Sequence, residues 1–191
     1  MAQGPVHKTM RNLARRLDDQ GIDYAVIGGM ALVLHGYARL TVDVDLLMTR
    51  EGLAKFVELL VGRGYAPAFQ AAKKHFRDVE TGVKVEIITT GEYPGDGKPK
   101  SISFPDPGRV SEITDGIKVI DLANLIELKL ASGLSAEHRV KDIADVQQLI
   151  ETLDLSREFG LKLEQSVRGE YDRLWEATRR GREERIGPDR E

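Results

Sequence analysis

Residues 25–48 read AVIGGMALVLHGYARLTVDVDLLM, and this segment is the most informative part of the chain. A short apolar run at 25–27 ends in Gly28 and Gly29, and a continuous apolar segment follows at 30–34. That order predicts a buried strand, a tight turn and a buried helix. Because glycines leave the backbone open and a helix N-terminus presents N–H donors, a phosphate could approach this turn closely.

Polar and apolar residues alternate in the second half of the segment. The polar set is Arg39, Thr41, Asp43 and Asp45, and the apolar set is Leu40, Val42, Val44 and Leu46. Alternation with a period of two predicts a strand with one polar face. Asp43 and Asp45 then point the same way, and two carboxylates this close repel each other unless a cation lies between them. Aspartate oxygens suit Mg²⁺, which also binds substrate phosphates.

The glycine pair and the two aspartates together resemble a known signature. Gly28-Gly29, thirteen intervening residues and then Asp43-Val44-Asp45-Leu46 resemble the nucleotidyltransferase superfamily of the DNA polymerase β type. The words GGMAL and HGYARLTVDVDLL are most similar to its small bacterial members, including the toxins of AbiE-like toxin–antitoxin pairs. The resemblance covers roughly residues 24–150. It implies an α/β (α+β) nucleotidyltransferase fold, with a mixed sheet flanked by helices and a C-terminal helical bundle.

The resemblance also implies a third carboxylate on a strand after the D-x-D strand. Glu86 is the match, because Lys84 and Glu86 alternate with the apolar residues of segment 83–89. Asp43, Asp45 and Glu86 would be the catalytic residues and the ligands of Mg²⁺ or Mn²⁺, with Glu86 as general base or second-metal ligand. Many relatives carry aspartate here, so glutamate is a departure. The alternative is an edge-strand glutamate paired with Lys84 or Arg77.

Five residues are candidates for nucleotide binding. They are Gly28, Gly29, Arg39, Thr41 and Lys129. The glycines would present backbone N–H groups to the β- and γ-phosphates. Arg39 could hold the triphosphate or simply neutralise the aspartates, and the sequence leaves both open.

Lys129 falls in the middle of an apolar helix stripe. A lysine there must extend to solvent, pair with a carboxylate or contact a ligand. The L-x-x-x-K-L pattern resembles a helix of small relatives in which the lysine contacts nucleotide phosphate; a structural ion pair is the alternative. The following R-x-K-D-x-x-D pattern also resembles the small nucleotidyltransferases. It predicts charged pairs that orient Lys129 and brace two helices, with direct ligand contact as the alternative. Its residues are Arg139, Lys141, Asp142 and Asp145.

Periodicity and turn residues predict the remaining elements. Helices are expected at 6–20, 50–64, 121–132, 135–152 and 156–179, and hairpins at 75–79 with 83–89 and at 110–113 with 117–120. Segment 91–107 is expected to be a loop and segment 181–191 a frayed, charged end. We expect residues 1–120 to form the catalytic core and residues 121–191 a helical region packed on it.

The composition is typical of a soluble globular protein. Of 191 residues, 31% are charged and 41% hydrophobic, with a net charge of −3. This excludes a chain-wide basic surface for nucleic acid, so such binding would need a local patch. The absence of cysteine excludes disulfides and thiolate metal sites and fits a reducing compartment. The sequence shows no signal segment or membrane-spanning apolar run, so we expect a cytoplasmic protein with no membrane partner.

The sequence therefore predicts transfer of a nucleoside monophosphate from a nucleoside triphosphate to an acceptor hydroxyl, with release of pyrophosphate. The acceptor could be tRNA, a protein or a small molecule such as an aminoglycoside. If the protein is the toxin of a toxin–antitoxin pair, an antitoxin protein would be its partner. One alternative is a non-catalytic nucleotide-binding or regulatory module of the same fold. Another is a metal-dependent glycosyltransferase, which also uses D-x-D, although the upstream glycine turn argues against it.

Overall fold

The computed structural model describes residues 4–186, which form seven helices, seven strands and two short 3₁₀ turns. The strands are β1 (Tyr24–Ile27), β2 (Asp43–Met48), β3 (Tyr65–Pro67), β4 (His75–Asp78), β5 (Lys84–Thr89), β6 (Ser111–Thr114) and β7 (Ile117–Ile120). The helices are α1 (Pro5–Asp19), α2 (Gly28–Leu34), α3 (Arg50–Leu60), α4 (Pro107–Val110), α5 (Leu122–Ser135), α6 (Val140–Thr152) and α7 (Gln165–Ile186). The expected mixed α/β class is confirmed.

The seven strands form one mixed sheet in the order β3-β4-β5-β2-β1-β7-β6. The central strand β2 pairs antiparallel with β1 and parallel with β5. Both predicted hairpins are confirmed, since β4 pairs antiparallel with β5 and β6 with β7. The sheet thus carries the D-x-D strand at its centre, between the strand that leads to the glycine turn and the strand that bears Glu86.

One face of this sheet is covered by α1 and α3. Phe56 of α3 packs its ring 4.8 Å from that of Phe76 on β4, and Thr9 of α1 donates a hydrogen bond to Asp78 of the same strand. Residues that alternate with Phe76 and Asp78, including His75, lie on the opposite face. Strand pairing carries this alternation across the sheet, so Asp45 and Glu86 share the face of His75.

Local sequence explains where the helices begin. Pro5 occupies the first turn of α1, where its missing N–H costs nothing. Thr49 caps α3 by accepting a hydrogen bond from the Gly52 N–H at 3.0 Å. Asp121 caps α5 as expected, accepting from the Asn124 N–H at 2.9 Å.

The predicted strand at 39–46 is too long at its start, because β2 begins only at Asp43. The ladder with β1 ends at the pair Ile27–Asp45, and the ladder with β5 begins at Asp43–Lys84. Residues before Asp43 therefore have no neighbouring strand to pair with. Leu40 and Val42, expected on a buried face, are 88% and 71% exposed.

Two predicted helices are also divided. A 3₁₀ turn at Glu137–Arg139 precedes α6, and another at Arg157–Lys162 precedes α7. The second division has a local cause, since the Glu164 carboxylate accepts a hydrogen bond from the Ser166 N–H and so caps a new helix. Helix α7 then continues through Ile186, so the fraying expected at 181–186 is wrong, and residues 187–191 lie outside the described residues.

The chain divides into two compact units. One comprises the described residues up to Glu92 together with Ser103–Leu125, and it holds the whole sheet. The other comprises Tyr93–Ile102 and the residues from Ile126 onward, and it is mainly helical. Loop residues 93–102 thus belong to the helical unit, and the division between the units falls within α5. None of the helices in residues 4–186 has the length and apolar character needed to span a membrane.

Candidate active site

The glycine turn lies directly against the second aspartate of the D-x-D strand. Gly28 has a φ of +63°, and a Cβ placed on it would lie 2.0 Å from Oδ2 of Asp45. Strand pairing produces this approach, because Ile27 at the end of β1 is paired with Asp45 on β2. Only glycine meets both requirements here, the left-handed backbone and the missing side chain.

The second glycine lies against Thr41 in the same way. A Cβ on Gly29 would lie 2.7 Å from the Thr41 hydroxyl oxygen. That hydroxyl in turn is 3.2 Å from Oδ1 of Asp43 and 3.3 Å from the Asp43 carbonyl oxygen, and it can donate to either. The structure thus brings five of the predicted residues together around the start of α2: Gly28, Gly29, Thr41, Asp43 and Asp45.

Both aspartates remain partly accessible at this position. Asp43 and Asp45 are half-buried, whereas the alternating residues Val44 and Leu46 are fully buried. Each of the two residues therefore keeps part of its surface open to solvent.

Glu86 lies beside the aspartates on the neighbouring strand. Its Cα is paired with that of Asp45 across the β2–β5 ladder, and its side chain is 48% exposed. Because β5 lies between β2 and β4, the interpretation of Glu86 as an edge-strand residue is wrong. Its contact also differs from the expected Lys84 or Arg77, since His75 Nε2 lies 3.4 Å from Oε1 of Glu86. Arg77 instead donates a hydrogen bond to the Gly82 carbonyl at 2.6 Å.

Two other acidic residues of the β4–β5 hairpin are accounted for by structural contacts. Asp78 is buried, accepts hydrogen bonds from Thr9 and from the Glu80 N–H, and lies on the face covered by α1. The pKa of Asp78 is lowered, because these hydrogen bonds outweigh the effect of its burial. Glu80 pairs with Lys8. Of the hairpin's carboxylates, Glu86 is thus the one on the face of the D-x-D pair.

Arg39 lies beside Thr41 in the irregular segment before β2. The two residues line an open cavity of about 470 Å³ in the first unit, together with Leu40 and Val42. No carboxylate is among the residues that line it. Both predicted roles of Arg39, phosphate binding and neutralisation of the aspartates, therefore stay predictions.

Lys129 is buried in the helical unit and contacts two carboxylates. Its ammonium lies 3.0 Å from Oδ1 of Asp142 and 2.8 Å from Oδ2 of Asp145. Ser132 donates a hydrogen bond to Asp142 at 2.7 Å, and Arg139 forms the predicted pair with Asp142 at 3.0 Å. These contacts are those of the structural ion pair; a phosphate contact by Lys129 stays a prediction.

The environment of Asp142 favours its charged form. Burial alone would raise the pKa of Asp142, but the Lys129 ammonium, the hydrogen bonds from Ser132 and Lys129, and the charge of Arg139 together hold it below its usual value. The carboxylate and the ammonium therefore stabilise each other inside the helical unit.

The donor atoms at the start of β2 fit a hard divalent cation. Asp43 and Asp45 offer carboxylate oxygens on one strand face, and a triphosphate could supply further oxygens. Within residues 4–186, no three His, Asp or Glu side chains gather into a group that could hold a metal ion. The metal-ligand role of Glu86 therefore stays a prediction.

His75 is a residue of this face that the sequence reasoning missed. Its ring lies 5.8 Å from that of Phe69, centroid to centroid, and Phe69 is 60% exposed. Alternation along β4 would have placed His75 and Arg77 on one face. The contact with Glu86, however, depends on the register that the five-residue turn between β4 and β5 sets.

Comparison with known proteins identifies the fold. No protein-family model matches the chain, and no curated protein does so either. Among solved structures, a nucleotidyltransferase candidate from Thermotoga maritima matches with a TM-score of 0.50 and 19% identity, over 75% of this chain and 91% of that one. An antigenic nucleotidyltransferase-like protein from Paracoccidioides brasiliensis gives 0.51 and 19%, over 76% and 75% of the two chains.

A third structure extends the likeness over nearly the whole chain. The protein ANT(2″)-Ia, in complex with adenylyl-2″-tobramycin, matches with a TM-score of 0.56 and 11% identity, over 92% of this chain and 98% of that one. Because the sequence identities are so low, these similarities identify the fold and nothing more. They show that the seven-stranded mixed sheet and its helices have the architecture of nucleotidyltransferases.

Proposed function

We propose that this protein transfers a nucleoside monophosphate from a nucleoside triphosphate to an acceptor hydroxyl and releases pyrophosphate. The observation that carries the proposal is the packing of Asp45 against Gly28, with Thr41 joining Gly29 to Asp43. This arrangement sets two carboxylates beside an open backbone turn, as binding of a metal–triphosphate complex requires.

Each of these residues would have its own role in the reaction. Asp43 and Asp45 would hold Mg²⁺ or Mn²⁺, which when bound supplies a positive charge that orients the triphosphate and stabilises the charge on its oxygens. The backbone N–H groups of Gly28 and Gly29 would bind the β- and γ-phosphates. Arg39, which lines a cavity together with Thr41, would bind phosphate or balance the aspartates.

The proposed step conserves atoms and charge. The acceptor oxygen forms a bond to the α-phosphorus while the bond from that phosphorus to pyrophosphate breaks, and pyrophosphate leaves. Glu86 takes the proton of the acceptor hydroxyl and later gives it to solvent. The support for this role is the pairing of Glu86 with Asp45 on one sheet face and its half-exposed side chain, which an acceptor could reach.

The test combines binding and turnover. Isothermal titration with each of the four ribonucleoside triphosphates and Mg²⁺ measures affinity, and labelled triphosphates incubated with total cellular RNA, protein and small molecules reveal the acceptor. We expect Asp43→Asn to abolish metal-dependent nucleotide binding and labelling, whereas Asp19→Asn, an exposed carboxylate of α1, retains both. Equal nucleotide affinity in wild type and Asp43→Asn would reject the site.

A non-catalytic nucleotide-binding module is the second candidate. One observation favours it: the third acidic position holds glutamate, Glu86, where many relatives carry aspartate. Nucleotide binding that requires Asp43, without labelling of any acceptor or release of pyrophosphate, would support this candidate.

The cellular role is part of the proposal. The similarity to small bacterial nucleotidyltransferases favours a cytoplasmic toxin whose acceptor is RNA, protein or a small molecule, held in check by an antitoxin. Expression in a bacterial host tests this role. Growth arrest by wild type but not by Asp43→Asn, relieved by the protein encoded next to this one, would support it. Normal growth at high expression would contradict it.

A further inference from the structure

The ring of His75 lies next to Glu86 on the open sheet face, and the ring of Phe69 lies next to that of His75. The Cα pairings Asp45–Glu86 and Glu86–His75 place these three residues in one row across β2, β5 and β4. His75 Nε2 lies 3.4 Å from Oε1 of Glu86. The centroid of the Phe69 ring lies 5.8 Å from that of the His75 ring.

The Glu86 carboxylate needs a neighbouring side chain that restrains it. The Glu86 side chain has several rotatable bonds and is 48% exposed, so on an open surface it would sample many positions. A general base contributes only when it is held within hydrogen-bonding reach of the proton that it removes. His75 is the side chain that the structure places in contact with the Glu86 carboxylate, and it restrains that carboxylate on the side away from Asp45.

Phe69 in turn contacts His75. Its side chain is 60% exposed, so burial of apolar surface does little to explain its position. Its ring lies against the imidazole of His75 at an interplanar angle of 38° and thereby limits the orientations of that ring. Partners that orient the ligands of a metal site typically change activity about 10–100-fold when they are removed, and His75 has the same relationship to Glu86.

We propose that His75 is a positioning residue that holds Glu86 for proton removal from the acceptor hydroxyl. This inference rests on the proposed function. His75 does not touch the nucleotide or the metal ion. It acts through Glu86, and Phe69 keeps its ring in place.

The experiment separates positioning from binding and from folding. In the transfer assay we expect His75→Ala to lower kcat at least about 10-fold. The KM for the nucleoside triphosphate and its affinity by titration should stay at the wild-type values. His75→Gln, whose amide can donate to Glu86 from a similar distance, should recover most of kcat. Because both side chains are half-exposed, the unfolding midpoint should change little.

Two further variants make the test specific. Arg77→Ala removes another exposed side chain of the same strand and face and should leave kcat unchanged. In the double variant His75→Ala/Glu86→Gln, kcat should be no lower than in Glu86→Gln alone, because His75 acts through Glu86.

The outcomes distinguish the two proposals. Wild-type kcat in His75→Ala, or a loss that multiplies with that of Glu86→Gln, would overturn the positioning role while transfer itself stands. A wild-type protein that labels no acceptor and releases no pyrophosphate would overturn the proposed function and this inference with it. A fall in nucleotide affinity in His75→Ala would show direct binding instead and would also overturn it.

Discussion

The carboxylate of Asp45 lies so close to the Cα of Gly28 that a Cβ on Gly28 would be 2.0 Å from Oδ2. A side chain at this position would occupy the space of the carboxylate itself. The contact joins the end of β1 to the middle of β2, and it brings the glycine turn and the D-x-D strand together at the candidate site.

Gly28→Ala should therefore displace Asp45 and abolish Mg²⁺-dependent nucleotide binding. The backbone strain of an alanine at φ +63° should also cost about 1–2 kcal/mol of stability. The matched control is Gly21→Ala, where φ is +60° and nothing lies within 4 Å of the added Cβ. Both variants should lose similar stability in urea unfolding, but only Gly28→Ala should lose affinity in titration. Wild-type affinity in Gly28→Ala would contradict the site geometry.

The location of this site could be predicted from sequence because it depends on local order. A strand that ends in two glycines fixes where α2 begins, and period-two alternation fixes that Asp43 and Asp45 share a face. Both features follow from short-range backbone geometry. The Asp121 cap and the two hairpins were predictable for the same reason.

Features that depend on distant neighbours were not predictable. Alternation continued back to Arg39, but a strand exists only where a neighbour pairs with it, so β2 begins at Asp43. The contact of His75 with Glu86 depends on the β4–β5 register, which a five-residue turn sets. The 3₁₀ turn before α6 could not be predicted either, because the sequence pattern is helical on both sides of it.

Glu86→Gln should lower turnover far more than nucleotide affinity. A base acts mainly in the transition state, and its removal typically costs about 10²–10⁴-fold in rate. Lys84→Gln, on the same strand and face, should cost much less. Pre-steady-state measurement of the transfer step, beside titration of the triphosphate, separates the two effects. Full activity of Glu86→Gln in an assay that Asp43→Asn abolishes would remove Glu86 from the reaction.

Stability at acid pH should depend on Asp142. Because the pKa of Asp142 is lowered in the folded protein, its contribution is present above the unfolded value of about 3.9 and is lost as the pH falls through the folded value. The free energy of unfolding should thus fall below about pH 4. Asp142→Asn should be less stable at pH 7 and should show a shallower fall below pH 4. Parallel pH dependences in urea titrations of the two proteins would contradict this.

Substitution of Lys129 tests which of its two predicted roles is correct, the structural ion pair or the phosphate contact. Lys129→Met should leave Asp142 and Asp145 without their ammonium partner, and loss of one partner of a buried ion pair costs about 3–5 kcal/mol. The exposed Lys141→Met on α6 should change little. Adding Asp142→Asn and Asp145→Asn to Lys129→Met removes the uncompensated charges and should restore much of the stability in urea unfolding.

Nucleotide affinity of this triple variant then distinguishes the roles. If Lys129 serves only the ion pair, the restored protein should bind the Mg²⁺–triphosphate complex as tightly as wild type. If its ammonium also contacts phosphate, affinity should stay reduced about 10-fold or more although folding is restored, since a hydrogen bond to a charged group contributes about 1.5–3 kcal/mol. The contacts with Asp142 and Asp145 favour the first result, because the ammonium is already neutralised by two carboxylates of its own unit.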